Sequence, residues 1–584
     1  MAKSSRKQTR RNSTYGARED SPPPAYSETP RSAQPHLDEH TPLLRRPTIV
    51  IFSSGQRRTD PNRLTWPADF CQALVSLVEV SILIFIGIGI WVLIKSIFWD
   101  SHPASLPPPC PTYSVAIIGA GPAGISAAQH LWRSAAAHHV CIDTTIFESA
   151  PVIGGQLALN ASDGGPVFPY DDTSLDPLTA EDIAGNALIW GNPLFTKASE
   201  ETLGDKIEFS ELPSQQIGYF AGDNPITQMT RPYSKTPMSS WLGLIWKYGS
   251  SVWRAGDMAK DGDLRERIVD VPLVPDISQI LISLGVIDSV RRHASDELEA
   301  RGIGGSYLSD ILGPQVQRAH AQKLSDISAL ALMMGSAQED AANAYIGGDL
   351  LDRLEQIVSA TGADVRTATR VKRMRHAQIN EQETAWLVEQ DIAGVSAPRT
   401  ESFDRVIIAA PNYDLYGSSS ASEQEEIEVA SLLAYRPIHI TFFTTTARLE
   451  PEQYTDVEQV LFVDASGGEW KPGEPGIHEL AFVREVVRFQ DGGYKMVEYL
   501  YRALSEDNVA AHLWPNSNIT WVYQTRLENA YPYLYPNFSR FPRFKLSDKG
   551  LWWTSVIHSV ASTIDLSWLA GKIAAEEMVQ ELTK

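Results

Sequence analysis

The stretch Ser114-Val-Ala-Ile-Ile-Gly-Ala-Gly-Pro-Ala-Gly-Ile125 decides the fold. Its first five residues are an apolar run, and its end leads through SAAQHLW to Arg133 in a helical pattern. The segment therefore predicts a strand, a tight glycine turn and a helix start. In the GAGPAG turn, Gly119 permits the reversal, Gly121 lets the backbone approach a pyrophosphate, and Gly124 lets helix and strand pack closely. The phosphate charge then faces the positive end of the helix dipole. A second apolar run, Thr144-Thr-Ile-Phe147, ends in Glu148, where an acidic side chain accepts from ribose hydroxyls. Glu148 follows Gly119 by 29 residues, against a usual spacing of about 20. The extra length is assigned to a loop around Ala135–His139, which costs little to close.

The continuation separates the dinucleotides. A nicotinamide enzyme usually runs on into a crossover helix, whereas this chain reads Pro151-Val-Ile-Gly-Gly-Gln-Leu157. The second glycine pair, Gly154 and Gly155, places bare backbone against a second phosphate or a ring. With the first turn and Glu148 it points to FAD; taken alone, it reads equally well as a glycine-rich surface turn.

At 584 residues the chain exceeds one core and divides into two or three domains. Cys71, Cys110 and Cys141 are too few for a disulfide framework and show no metal-ligand spacing with His, so no metal is expected. The net charge of −21 is uneven, because residues 1–70 hold twelve Lys and Arg against seven Asp and Glu. So acidic a body disfavours nucleic acid as a partner.

Residues 1–70 are rich in Ser, Pro and Arg without apolar period, which predicts a disordered tail. Within 71–99, the run Ala73–Trp99 is long and apolar enough to span a bilayer, with Trp91 and Trp99 at interfacial positions. A linker, 100–112, follows. Basic residues crowd the tail while the downstream flank is nearly uncharged, so the tail is predicted cytosolic and the body lumenal. Sequons at Asn160, Asn518 and Asn537 suit a glycosylated body. In the tail, Pro23-Pro-Ala-Tyr26 has the PPxY form docked by WW domains, here of a ligase, and Glu39-His-Thr-Pro-Leu-Leu44 has the acidic dileucine form read by sorting adaptors. Together they predict residence in vacuole or lysosome.

The body is expected to be α/β, with a Rossmann-like FAD-binding domain assembled from 113–190, 341–415 and 531–584. An α+β substrate domain is inserted as 191–340 and 416–530. The first return carries Tyr345-Ile-Gly-Gly-Asp-Leu-Leu-Asp-Arg-Leu354, Val365, Val371 and a strand Phe403-Asp-Arg-Val-Ile-Ile-Ala-Ala410. The second ends in a helix whose small residues, among them Ala570, Gly571, Ala574 and Ala575, suit close packing beside the cofactor. The cofactor set is Gly119, Gly121, Gly124, Glu148, Gly154, Gly155, Gln156, Val371 and Ser562. His439 and Thr441 share one face of a predicted strand and are candidates to orient substrate or water, against the commoner reading of a structural pair. Trp241, Trp246, Tyr248 and Trp253 line either an apolar tunnel or, at helical spacing, a core stripe.

From Ser114 to the C-terminus the chain resembles the prenylcysteine oxidase, or prenylcysteine lyase, family of flavoproteins related to amine oxidases. The likeness rests on GAGPAG, FESAPVIGG, the Ala184–Phe195 segment, Leu244-Ile-Trp-Lys-Tyr-Gly249, GGDLLDRL, FDRVIIAAP, the YPYLYP string at Tyr531–Pro536, and Ala561–Ser567. It implies a lumenal thioether oxidase that uses FAD and oxygen to cleave farnesyl- or geranylgeranyl-cysteine to cysteine, an isoprenoid aldehyde and hydrogen peroxide. The flavin carries that chemistry, and no catalytic side chain is assigned. The chain departs from the family at Gln156, where Arg is usual, at Asn186 and Ala187, and at Val556 and His558 in the C-terminal segment. The alternatives are another flavin oxidase of the amine-oxidase superfamily, or a tethered flavoprotein that keeps the fold without the activity.

Overall fold

The computed structural model describes residues 110–584 apart from short gaps and the stretches 159–164, 183–192, 412–432, 450–456, 463–475 and 511–517. The tail with both address motifs, the 73–99 run, Asn160, Asn186 and Ala187 lie outside the described residues. Among the described residues no helix is long and apolar enough to cross a membrane.

Six strands form the nucleotide sheet, in the order Lys545–Ser547, Leu551–Trp553, Arg405–Ile408, Thr112–Ile118, Cys141–Phe147, Asp364–Arg366. All pair in parallel except Lys545–Ser547. A parallel sheet is covered on both faces, so its strands read as continuous apolar runs. Val115–Ile118 are buried accordingly, with Ile117 in register with both Ile146 and Ile407. The strand expected over Phe403–Ala410 is divided at Asp404. Phe403 ends the antiparallel strand Arg399–Phe403, and Arg405–Ile408 enters the parallel sheet. Asp404 is held at the division because its Oδ2 accepts from the Ser114 N–H at 2.7 Å and the Ser114 hydroxyl at 2.8 Å.

The first helix, Pro122–His138, is longer than expected. Residues assigned to a loop continue it to His138, since Ser134-Ala-Ala-Ala137 propagates a helix readily, and His139 ends it at φ 57°. This one helix accounts for the wide spacing between Gly119 and Glu148. Against it lies the last helix, Ile564–Leu582. The contact is close because Gly571 abuts the backbone of Ala123 and Ala127, and the Ser126 hydroxyl donates to the Trp568 carbonyl at 2.6 Å. Gly571 of the last helix thus serves helix–helix packing.

The helix Pro193–Leu203 packs on the nucleotide half. Leu194, Phe195 and Ala198 enter the core of the nucleotide half, with Phe195 edge-on to Trp568 at 5.2 Å between ring centroids. An apolar stripe of this kind is stabilised only by facing that core.

The second half is built on a seven-stranded sheet in the order Ile519–Pro532, Tyr435–Thr445, Tyr494–Ser505, Ile477–Gln490, Gln459–Phe462, Gln215–Ala221, Asn224–Arg231. Its pairs are antiparallel except Gln459–Phe462 with Gln215–Ala221. Helices from the 238–341 region pack on it around Tyr219, Tyr307 and Leu332. The cysteines build no framework, yet Cys110 and Cys141 form one disulfide across 31 residues, with Cα atoms 5.6 Å apart. It ties the entry of the first strand to the start of its parallel neighbour, where the Cys141 N–H also donates to the Pro111 carbonyl.

Candidate active site

The glycine turn emerges at the carboxyl end of the parallel sheet. Gly119 has φ 107°, and a Cβ there would lie 2.9 Å from the Ala409 carbonyl oxygen, so only glycine fits. Gly124 is pressed on the Gly119 carbonyl, which leaves no room for a side chain. Gly121 differs from both. Its φ is −79°, and a Cβ would meet only the Gly155 Cα, at 3.7 Å. Protein packing therefore does not demand glycine at 121, and its bare backbone is open to a ligand. The helix opens here without a side-chain cap and without an acidic residue in its first turn, which leaves the positive dipole end for phosphate.

Glu148 follows the second strand and is 7 % exposed. Its Oε2 accepts from the Ala120 N–H and its Oε1 from the Ala150 N–H, both at 2.8 Å. The carboxylate is thus fixed beside the glycine turn. Gly154 and Gly155 both have positive φ, and Gly154 donates its N–H to the Ala120 carbonyl at 2.9 Å. The two glycine segments consequently lie back to back and form one bare-backbone cradle. This cradle and its braced acid fit FAD, and the nucleotide half is an FAD-binding Rossmann-like domain. Gln156 is exposed and its amide donates to the Asn529 carbonyl. Ser562 is exposed just before the last helix. Val371, by contrast, has its side chain in the core, so any role at the cofactor falls to its backbone.

Gln156 and Ser562 also border a cavity of about 230 Å³ between the nucleotide half and the seven-stranded sheet. One wall is apolar, with Ile438, Ile440, Leu504 and Leu527. Ile438 and Ile440 alternate with His439 and Thr441 along Tyr435–Thr445, which puts the latter pair on the opposite face. His439 there meets the Gln524 amide at 2.6 Å through Nδ1. The proposed orienting pair is therefore absent from the cavity lining. The aromatic residues do not line it either. Trp246 and Trp253 are 93 % and 56 % exposed, Trp241 is partly buried, and only Tyr248 is in a core. This is neither tunnel nor core stripe.

The C-terminal departures are structural. Val556 is fully buried in the nucleotide core, and His558 Nδ1 lies 2.9 Å from the Tyr435 hydroxyl. Burial pushes the His558 imidazole down to about 4, so it is neutral near pH 7.

Sequence reasoning missed the polar floor of the cavity: Arg231, Arg318, Arg502 and Glu479. Arg502 donates through Nη2 to Glu479 Oε2 at 2.8 Å and through Nη1 to the Asp182 carbonyl at 2.9 Å. Burial alone would raise the Glu479 carboxyl, but Arg502 and Arg318 outweigh it and hold the group below the ordinary carboxylate range. The signal available was a lone charge inside an apolar strand, as in Ile477-His-Glu-Leu-Ala-Phe482 and Tyr499-Leu-Tyr-Arg-Ala503. Charges are rarely buried unless paired.

No curated protein matches the chain. Among solved structures, a triple mutant of putrescine oxidase redesigned in cofactor binding superposes with a TM-score of 0.50 at 13% identity, covering 81% of this chain and 100% of that one. Cyclohexylamine oxidase from Brevibacterium oxydans IH-35A gives 0.49 at 13% identity, with the same coverage. At such identities the likeness shows the fold alone. Residues 117–175 match the NAD(P)-binding Rossmann-like domain. Residues 234–584, more than half of the chain, match prenylcysteine lyase, and the chain belongs to that family.

Proposed function

We propose that this protein is an FAD-dependent thioether oxidase that cleaves farnesyl- or geranylgeranyl-cysteine. The observation that carries the reading is the two-sided cavity bordered by Gln156 and Ser562. It offers an apolar wall to an isoprenoid and a charged floor to an amino-acid head. The overall change balances as thioether, oxygen and water giving free cysteine, isoprenoid aldehyde and hydrogen peroxide. Bound FAD supplies the two-electron oxidation of the carbon next to sulfur. The protein's part is to hold the dinucleotide at the Gly119–Gly124 turn and Glu148, to align the thioether along Ile438 and Ile440, and to limit water around it. Neutral His558 and Tyr435 offer no strong base, and the reaction as written requires none.

The amine-oxidase alternative, suggested by the putrescine oxidase likeness, meets an electrostatic objection. A dicationic polyamine would be repelled by three guanidinium groups and attracted by too few carboxylates. For the cell, the reading places the body in a lumen, anchored by residues 73–99, with the WW-ligase and adaptor motifs on the cytosolic side and vacuole or lysosome as destination. The Cys110–Cys141 disulfide supports an oxidising compartment, and exposed Asn518 is open to glycosylation.

The test is product analysis in air with purified, FAD-loaded protein. Farnesylcysteine is expected to yield cysteine, farnesal and hydrogen peroxide in equal amounts. Peroxide from amines, with none from farnesylcysteine, would replace this reading by the amine-oxidase one.

A further inference from the structure

The helix Met238–Tyr248 carries more apolar surface than its neighbours cover. Leu244 and Tyr248 enter the core of the second half, and Trp241 packs at its edge. Met238, Leu242 and Trp246, each four residues from the next, form an adjoining stripe on the helix. They are 75, 61 and 93 % exposed. The next helix, Ser251–Gly262, sends Val252, Ala255 and Met258 into the same core but leaves Trp253 in solvent. Large apolar side chains gathered in one short stretch of surface mark an interaction site.

Charge narrows the partner. Residues 232–256 hold three basic side chains, Lys235, Lys247 and Arg254, and no Asp or Glu, in a chain of net charge −21. All three are exposed. Lys247 donates to the Ile226 carbonyl and lies 3.8 Å from Asp310, so its charge is partly countered. Arg254 donates to the neutral Gly302 carbonyl at 2.6 Å. The first acid beyond them, Asp257, is held by Lys260 at 3.0 Å. A cationic island on an acidic body attracts an anionic surface and opposes a second copy of itself, whose like charges would meet across a two-fold axis. One exposed stripe on a helix about 16 Å long also falls short of the ~800 Å² that a stable protein contact buries on each partner. Tryptophan, with an apolar ring and a polar N–H, is suited to the boundary between lipid and water. Residues 100–109 join the apolar run 73–99 to Cys110, and ten residues reach at most about 36 Å. An anchor in the bilayer therefore keeps the body near its surface.

We propose that Met238, Leu242, Trp246 and Trp253 form a docking face for an anionic lipid surface. The apolar side chains enter the headgroup boundary, and Lys235 and Arg254 meet the anionic headgroups. None of these residues lines the cavity beside Gln156 and Ser562. The inference is independent of the thioether-oxidase reading and takes from the anchor reading only the nearness of the bilayer.

The experiment uses the FAD-loaded full chain, inserted singly in nanodiscs of phosphatidylcholine with or without phosphatidylserine. Hydroxyl-radical labelling, read by mass spectrometry, compares each residue with its own rate in the denatured chain. In discs with phosphatidylserine, Met238, Leu242 and Trp246 should fall to about a tenth of that rate or less, since a docked apolar face sinks ~5–10 Å into the headgroup boundary. Trp132, 42 % exposed elsewhere on the body, should keep an intermediate rate in both discs. Omitting phosphatidylserine should weaken the protection, and Lys235→Glu with Arg254→Glu should remove much of it while leaving flavin content unchanged. Trp246 labelled at its denatured rate in wild-type discs with phosphatidylserine overturns the proposal without reference to any variant. Equal protection in both kinds of disc overturns the anionic partner, and protection that needs two chains in one disc gives the face to a second copy and overturns the lipid. If the chain does not enter discs, the anchor reading falls separately. Vesicles of the same two compositions, added to the protein in solution, then decide the face: protection by the anionic vesicles supports it, and none overturns it.

Discussion

Replacing Gly121 by Val separates folding from cofactor binding. The residue has φ −79° and ψ −178°, an extended geometry that a β-branched residue adopts without strain. A Cβ at this position meets only the Gly155 Cα, at an ordinary 3.7 Å, so a side chain starts there without a clash. Loss of glycine flexibility from the unfolded chain offsets part of any cost to the fold, by roughly 0.4–1 kcal/mol. The methyl groups are expected to occupy the bare-backbone cradle that the proposed site offers to the pyrophosphate. Displacing a phosphate from one or two backbone N–H donors removes about 1.5–3 kcal/mol per charge-assisted bond. FAD affinity should therefore fall by roughly 10- to 10⁴-fold. The assay pairs the 450/280 nm absorbance ratio of purified protein with reconstitution of the apoprotein by FAD, followed through quenching of flavin fluorescence. Circular dichroism and the melting temperature of the apoprotein should match wild type. Gly124→Ala is the contrasting control. Its Cβ would overlap the Gly119 carbonyl, so both fold and flavin should be lost. A Gly121→Val protein that purifies with stoichiometric FAD would refute the assignment of this turn.

His130, His320 and His478 are held down by burial, to about 3, 4 and 4. Their folded pKa lies below the unfolded value of about 6.5, so their contribution is full above pH 6.5 and is lost as pH falls towards 4. At pH 5 each costs about 2 kcal/mol, and urea midpoints at pH 5.0 should lie well below those at pH 7.5; equal midpoints would refute the assignment. Asp565 runs the other way, because burial raises its carboxyl to about 7 and only the unfolded chain ionises it between pH 4 and 7. Asp565→Asn keeps an oxygen for the Phe195 N–H, so it should stabilise the protein above pH 7, by at most on the order of 4 kcal/mol, and not below pH 4. Melting curves of the two proteins across that range decide it. Cys141→Ser should lower unfolding free energy by about 2–4 kcal/mol through the freed 31-residue loop, and a denaturation midpoint unmoved by the change would show that the bridge does not form.

The nucleotide half was legible because its signals are local. Val115–Ile118, the glycine turn and Glu148 each follow from backbone needs a few residues long. The same locality explains the errors. Nothing in Ser134–Ala137 alone distinguished a loop from the last turn of a long helix. Asp404 divides an apolar run only because Ser114, 290 residues away, supplies its donors. The cavity floor was invisible for a stronger version of that reason. Arg231, Arg318, Glu479 and Arg502 come from four separate elements, and their burial is a property of the assembled sheet. Trp246 was misread because helical spacing shows that a face is apolar without showing what covers it; in the described structure it is 93 % exposed.

The most direct test of the central claim is an anaerobic titration of the FAD-loaded protein, followed at 450 nm. Farnesylcysteine should bleach the flavin in a stoichiometric step, admitting oxygen should restore it with release of farnesal, and putrescine should leave the spectrum unchanged. A flavin reduced by putrescine or another amine and left oxidised by farnesylcysteine would contradict the claim.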